Sequence, residues 1–282
     1  MTTALSSESR PIETKAAPAV PAIDLRQVTC RFGGSGGAYT AISGVDLQVA
    51  AHEFVAVVGP TGCGKSTLLN VSSGLLAPSS GQVAIFGETL AGLNRRSAYL
   101  FQADALMPWC TAIDNIAAGL RFKGVGRKEA ADEARGWLAR VGLRNHAERY
   151  PHQMSGGMRK RVAMAQALIL DPPILLMDEP FSALDIQTRQ LMEDELLRLW
   201  QADRKSVMFV THDLEEAISL ADRVVVLSAG PGSHPVADFV VDLPRPREIF
   251  EIRMTQRFLE LHSAIWNVLK KEVMKSHAAA QD

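Results

Sequence analysis

The chain has 282 residues, 47% hydrophobic and 22% charged, with 30 Lys and Arg against 31 Asp and Glu for a net charge of −1. That profile excludes disorder throughout, and the near-zero balance argues against a dedicated nucleic-acid binder, which carries a strongly basic face. Three cysteines, Cys30, Cys63 and Cys110, are too few and too scattered for a disulfide scaffold or a zinc site, and they suit a reducing compartment.

Residues 1–22, rich in Ser, Thr, Ala and Pro with no hydrophobic period, read as a flexible leader without the apolar segment of a secretory signal. Residues 23–49 read as antiparallel strands joined by a loop at 33–37. Residues 54–58 form a continuous β-branched and apolar run, the pattern of a strand buried on both faces. It enters a Gly-rich turn and then a helix over 65–75, with further strands at 82–86 and 98–101. The pattern turns helical over 111–123, 127–141 and 158–170. A second buried strand at 174–177, helix 185–200, strand 206–210, helix 213–221 and strand 223–227 complete an alternating α/β series. An amphipathic pattern covers about 248–275. No apolar run approaches the roughly 18 residues needed to cross a membrane.

Gly59-Pro60-Thr61-Gly62-Cys63-Gly64-Lys65-Ser66-Thr67 fits G-x-x-x-x-G-K-[ST] between a strand and a helix. Glycines let successive N–H groups turn inward around a β-phosphate, Lys65 bridges the β- and γ-phosphates, and the Ser66 hydroxyl is a ligand for Mg²⁺. Cys63 occupies a free position of this loop with no partner to make it a nucleophile. Ile174-Leu175-Leu176-Met177-Asp178-Glu179 is an apolar strand ending in two acids, which is costly unless a cation sits at its end. Asp178 is expected to hold that metal through its water shell. Glu179 is expected to polarise the attacking water as general base.

Five further short motifs, in order, resemble the ATP-binding cassette family over roughly residues 23–230. Met154-Ser155-Gly156-Gly157-Met158 resembles its L-S-G-G-Q signature, with Met for Leu and Met for Gln, and Ser182-Ala183-Leu184-Asp185 its D-loop. Gln102 stands at the Q-loop, Thr211-His212-Asp213 at the switch histidine, and Phe32, with Tyr39 as rival, where an aromatic ring stacks on adenine. The resemblance implies an α/β fold: a P-loop NTPase (RecA-like) core with an antiparallel β subdomain and an inserted α-helical subdomain at about 103–160. The ATPase domain would span 23–232, and 233–282 would form a largely helical C-terminal extension.

It also implies a head-to-tail dimer with ATP between Lys65 and Ser66 of one copy and Ser155 and Gly157 of the other. Glu179, His212 and Gln102 would close around the γ-phosphate. Ser66, Gln102 and Asp178 would serve Mg²⁺, and Gly156 and Asp185 would complete the nucleotide contacts. Leu106-Met107-Pro108-Trp109, Asp114-Asn115, Asp178-Glu179-Pro180-Phe181 and Ala221-Asp222-Arg223 look most like the ATPase subunits of nitrate, sulfonate and taurine importers. Expected partners are integral membrane permease subunits and, indirectly, a solute-binding protein, with no nucleic acid. The expected place is the cytoplasmic face of the membrane. Leu106, Met107 and Trp109 are candidates for an exposed apolar groove for the permease, with core packing as the alternative. Arg159-Lys160-Arg161 is open to phosphate, a partner, solvent or packing, and the bland alternative for Asp213 and Glu216 is a capping box for their helix. A soluble repair or translation cassette would need a long coiled coil or a second cassette, and a GTPase would need Asn-Lys-x-Asp.

Overall fold

The computed structural model describes residues 20–34 and 37–279, so the expected leader lies outside the described residues up to position 19. In chain order, β1 (Ile23–Gly34) and β2 (Gly37–Val49) form a hairpin, β3 (Phe54–Val58) runs into α1 (Lys65–Ser73), and β4 (Ser80–Ile85) and β5 (Glu88–Thr89) follow. Next come β6 (Ser97–Leu100), α2 (Ala112–Phe122), α3 (Arg127–Arg140), α4 (Gly156–Leu168) and β7 (Ile174–Asp178). The series continues through α5 (Ile186–Ala202), β8 (Ser206–Val210), α6 (Leu214–Leu220) and β9 (Arg223–Leu227). It ends with β10 (Pro235–Val240), α7 (Ile249–Arg253) and α8 (Gln256–Ala279).

Two sheets result. One is antiparallel, in the order β2-β1-β4-β5; the other has the order β10-β9-β3-β8-β7-β6. In the second, five strands are parallel and β10 alone runs against its neighbour. Successive side chains of a strand face opposite ways, and β3 shows the result: Phe54, Ala56 and Val58 enter one apolar cluster while Val55 and Val57 enter another. β8 divides likewise, Val207 and Phe209 against Met208 and Val210. The first cluster lies under the helices from α2 to α8. The second lies between the parallel sheet, α1 and the antiparallel sheet. A mainly parallel sheet flanked by helices, with a separate antiparallel sheet, is the α/β core and β subdomain expected from the sequence.

Two features depart from the pattern read in the sequence. β10 alternates between half-buried and exposed positions at the sheet edge, so it offers no apolar run, yet it carries the catalytic sheet past residue 232. The C-terminal amphipathic stretch is two helices, because the Thr255 hydroxyl accepts from the Phe258 N–H at 3.3 Å and starts α8 afresh. α8 buries Phe258, Leu261, Ile265 and Leu269, spaced three and four residues apart, and packs on α6 and β9. The buried Arg247 guanidinium donates to the carbonyls of Ile218, Ser219, Ala221, Val241 and Leu243, closing the C-terminal end of α6.

Candidate nucleotide site

Parallel strands of an open α/β sheet bring their carboxyl ends to one edge, where ligands bind. Here β3 delivers the glycine loop 59–67, β6 delivers Gln102, β7 delivers Asp178 and Glu179, and β8 delivers His212. Thr61, Gly62 and Gly64 to Thr67 of the loop, with Gln102, Glu179 and His212, line one open cleft of about 550 Å³ together with Phe32 and Tyr39, and Asp178 is joined to it through Ser66.

The loop is shaped by backbone geometry. Gly64 caps α1 at φ 93°, in the left-handed region, and a Cβ there would lie 2.7 Å from Ile42 Cγ2. The Lys65 amine is buried and donates to the carbonyls of Gly59 at 3.0 Å and Pro60 at 3.1 Å. Gly59, Pro60, Thr61, Gly62, Ser66 and Thr67 complete the turn and the first turn of α1. Cys63 is buried beneath it, and that burial pushes its thiol above the ordinary value. Phe32 and Tyr39 face each other across the hairpin, 42% and 47% exposed, and the Tyr39 hydroxyl donates to the Gly62 carbonyl at 3.4 Å.

The acids meet the loop from β7. Asp178 accepts from Ser66 Oγ at 3.0 Å and from the Tyr99 hydroxyl at 3.4 Å, and burial raises its carboxyl above the ordinary value. Glu179 holds a left-handed backbone, φ 42°, a strain that only surrounding structure sustains. Its N–H donates to the Val210 carbonyl at 2.9 Å, and its own carbonyl accepts from Ser182 Oγ at 3.0 Å. The carboxylate is thereby turned toward the cleft, with His212 Nδ1 at 3.0 Å and Gln102 Nε2 at 3.4 Å from the same oxygen, Oε2. Among the described residues no group of three or more His, Cys, Asp or Glu is arranged to hold a metal ion.

Ser155, Gly156, Gly157 and Asp185 are not among the residues lining this cleft. Ser155 is the N-cap of α4, accepting from the Met158 N–H at 3.3 Å. A Cβ on Gly157 would lie 2.5 Å from Thr188 Cγ2, so the glycine lets α4 approach α5. The Asp185 carboxylate caps α5 by accepting from the Thr188 N–H at 3.0 Å, which holds it below the ordinary value.

Some expectations change. Leu106 is buried in the core and Met107 is half-buried, leaving Trp109 as the exposed member of that trio at 74%. Asn115 enforces this: its fully buried amide donates to the carbonyls of Met107, Cys110 and Thr111 and accepts from the Met107 N–H. A reciprocal capping box at α6 is half present. Asp213 caps the N–H groups of Glu215 and Glu216, but the Glu216 carboxyl accepts from Thr211 Oγ1 at 2.6 Å. Tyr99 is not singled out by any motif in the sequence, and of the readings open for the basic run Lys160 takes packing, at 4% exposed. The available signal was spacing: Lys160, Met164 and Leu168 share one buried stripe of α4.

The ABC transporter family matches residues 42–182. An uncharacterized ABC transporter ATP-binding protein of Methanocaldococcus jannaschii is 43% identical over 255 residues, covering 90% of this chain and 93% of that one. A taurine import ATP-binding protein of Burkholderia pseudomallei is 40% identical, covering 88% and 96%. A nitrate import ATP-binding protein of Synechocystis is 38% identical, covering 91% and 97%. A solved ATP-binding cassette, dimeric in a post-hydrolysis state with ADP and Pi, superposes with a TM-score of 0.71 at 32% identity, covering 79% of this chain and all of that one. Strand-end geometry, phosphate loop and these likenesses agree, and the chain belongs to the ABC transporter ATP-binding family as an ATP-hydrolysing component.

Proposed function

We propose that the chain is the ATPase subunit of an importer, working as a head-to-tail pair that drives a separate membrane permease. The observation that carries the reading is a division within one chain. Gln102, Glu179 and His212 converge on the phosphate loop, while Ser155 and the Gly156-Gly157 backbone stand outside that cleft at the N-terminus of α4. A helix N-terminus offers N–H groups and partial positive charge to phosphate. Those groups therefore serve the nucleotide of a second copy, in which Lys65 and Ser66 hold the phosphates. Closure would bring both halves together, and hydrolysis would reopen them.

Mg²⁺ fits the Ser66 and Asp178 oxygens, with the Gln102 amide oxygen as a further donor. The absence of a metal-binding cluster among the described residues leaves phosphate oxygens and water as the other ligands, the shell Mg²⁺ favours. Bound there, the ion would neutralise charge on the β- and γ-phosphates. Glu179 would orient the attacking water and accept its proton, with His212 and Gln102 fixing the carboxylate. Phe32 and Tyr39 offer ring faces to the base.

No helix among the described residues is long and apolar enough to cross a membrane. The permease would supply that path, with this chain peripheral on the cytoplasmic face and exposed Trp109 in the docking segment. The kinship with taurine and nitrate import proteins favours a small anion or organic solute as cargo, delivered by a solute-binding protein. Glu179→Gln should lower turnover by at least about 100-fold, retain ATP binding and accumulate a dimer; undiminished hydrolysis overturns the role. Cysteines at 103–110 should crosslink to a cytoplasmic permease loop, and failure at every position removes the docking assignment.

A further inference from the structure

Lys160 is a buried cation whose bonds reach out of its own helix. From the second turn of α4, its amine donates to the carbonyl of Gln102 at 2.7 Å and to that of Phe101 at 3.1 Å, and it lies 3.3 Å from Asp104 Oδ1. Arg159 doubles the connection, donating to Asp104 Oδ2 at 3.0 Å and to the Met154 carbonyl at 2.9 Å. Asp104 is thus held by two consecutive residues of α4, and Met154 and Ser155 are tied to the same assembly.

Those contacts join two places that act on different nucleotides. Gln102 faces Glu179 at the cleft of its own chain, while the first turn of α4, three residues before Lys160, carries Gly157. A charged donor on a backbone carbonyl, desolvated by burial, makes a strong and directional tie. Resting on the two-copy reading above, we propose that Lys160 is a positioning residue that couples the two composite sites: it locks the Gln102 backbone to the signature helix. Displacement of Gln102 at one nucleotide then moves Ser155 and Gly157 at the other. The two hydrolysis events become cooperative because one rigid piece borders both.

The test separates this inference from its premise. In Glu179→Gln, dimerisation with MgATP is followed by size exclusion; a chain that stays monomeric overturns the two-copy reading and this coupling with it. In the otherwise native full chain, ATP hydrolysis is measured against MgATP concentration for Lys160→Met and Lys160→Gln. Both are neutral and of similar volume, but only the glutamine keeps an N–H donor for the Gln102 carbonyl. Methionine should cut kcat about tenfold and bring the Hill coefficient from about 2 toward about 1, with half-saturation little changed, while glutamine should restore most of both. Equal behaviour of the two variants, or full cooperativity in Lys160→Met, overturns the proposal where dimerisation is intact. Should neither variant fold, Asp104→Asn, at the periphery of the same tie, should lower the Hill coefficient part-way; an unchanged value there overturns it equally.

Discussion

The phosphate-loop end and the signature end of this molecule are built on different principles. At the first, nine consecutive residues and the carboxyl ends of parallel strands fix almost every polar group, and the decisive constraint is backbone conformation at Gly64. At the second, the local motif supplies only a helix cap. Its placement depends on Thr188 from α5 and on the Asp104, Arg159 and Lys160 contacts. Under the two-copy reading proposed above, the local half would bind its nucleotide before the long-range half is in position.

Substitutions at the two glycines should break that contrast open. Gly64→Ala forces Cβ against Ile42 in a left-handed conformation that L side chains rarely adopt, with the Ala41 carbonyl oxygen 3.2 Å away on the same side. Nucleotide affinity should fall about 100-fold, about 2.7 kcal/mol, by calorimetry with MgATP; affinity within a few-fold of native would refute the assigned constraint. Gly157→Ala meets only the Thr188 methyl. Binding to the single chain should stay intact while turnover falls about tenfold, and pairing it with Thr188→Ser, which removes that methyl, should recover most of the rate. No recovery would mean that the glycine serves something other than the approach of α4 to α5.

Away from both motifs, α5 and α6 each bury an acid, Glu193 and Glu216. Burial first, against weaker contributions from neighbouring arginines and a threonine, pushes Glu193 and Glu216 up to about 7. Both bind protons more tightly in the folded chain. Their contribution to stability is therefore complete below about pH 4.5 and is lost as pH rises through about 7. Melting temperature should decline over that window, by about 2–4 °C for each kcal/mol lost, and Glu193→Gln should flatten the decline. An equally steep profile in the variant would remove Glu193 from the account. The smallest effect belongs to Tyr99→Phe, which deletes a 3.4 Å hydrogen bond to Asp178. That bond lowers the Asp178 pKa, so losing it should move the acidic limb of kcat/KM toward neutral pH, at a cost of about 0.5–1.5 kcal/mol; an unmoved limb would show that Asp178 does not govern it.

Legibility in the sequence follows the same division. Loop 59–67 and the acids at 178–179 are contiguous and stand against apolar strands, so their chemistry is written locally. The burial of Leu106 and Lys160 is decided by residues 9 to 59 positions away, through Asn115 and the carbonyls of Phe101 and Gln102. A lysine between two arginines looks solvated until the helix register is known. β10 was hidden for another reason: an edge strand half in water has no apolar run to announce it. Glu216 does not complete a capping box because Thr211, a single residue before the switch histidine, takes its carboxyl.

Arg247 has a practical corollary. Its pKa is pulled down by burial to about 10, which still leaves it cationic at neutral pH, and it serves five carbonyl oxygens that have little other company. A gene trimmed after residue 232 would strand the three of those oxygens that remain, on Ile218, Ser219 and Ala221, at about 1–3 kcal/mol each, and lay bare the apolar flank of α6. Shortening the enzyme to its motif-bearing portion should therefore cost it stability. Crystallographers and engineers seeking a minimal cassette from this chain must keep its tail and attach their fusions beyond it.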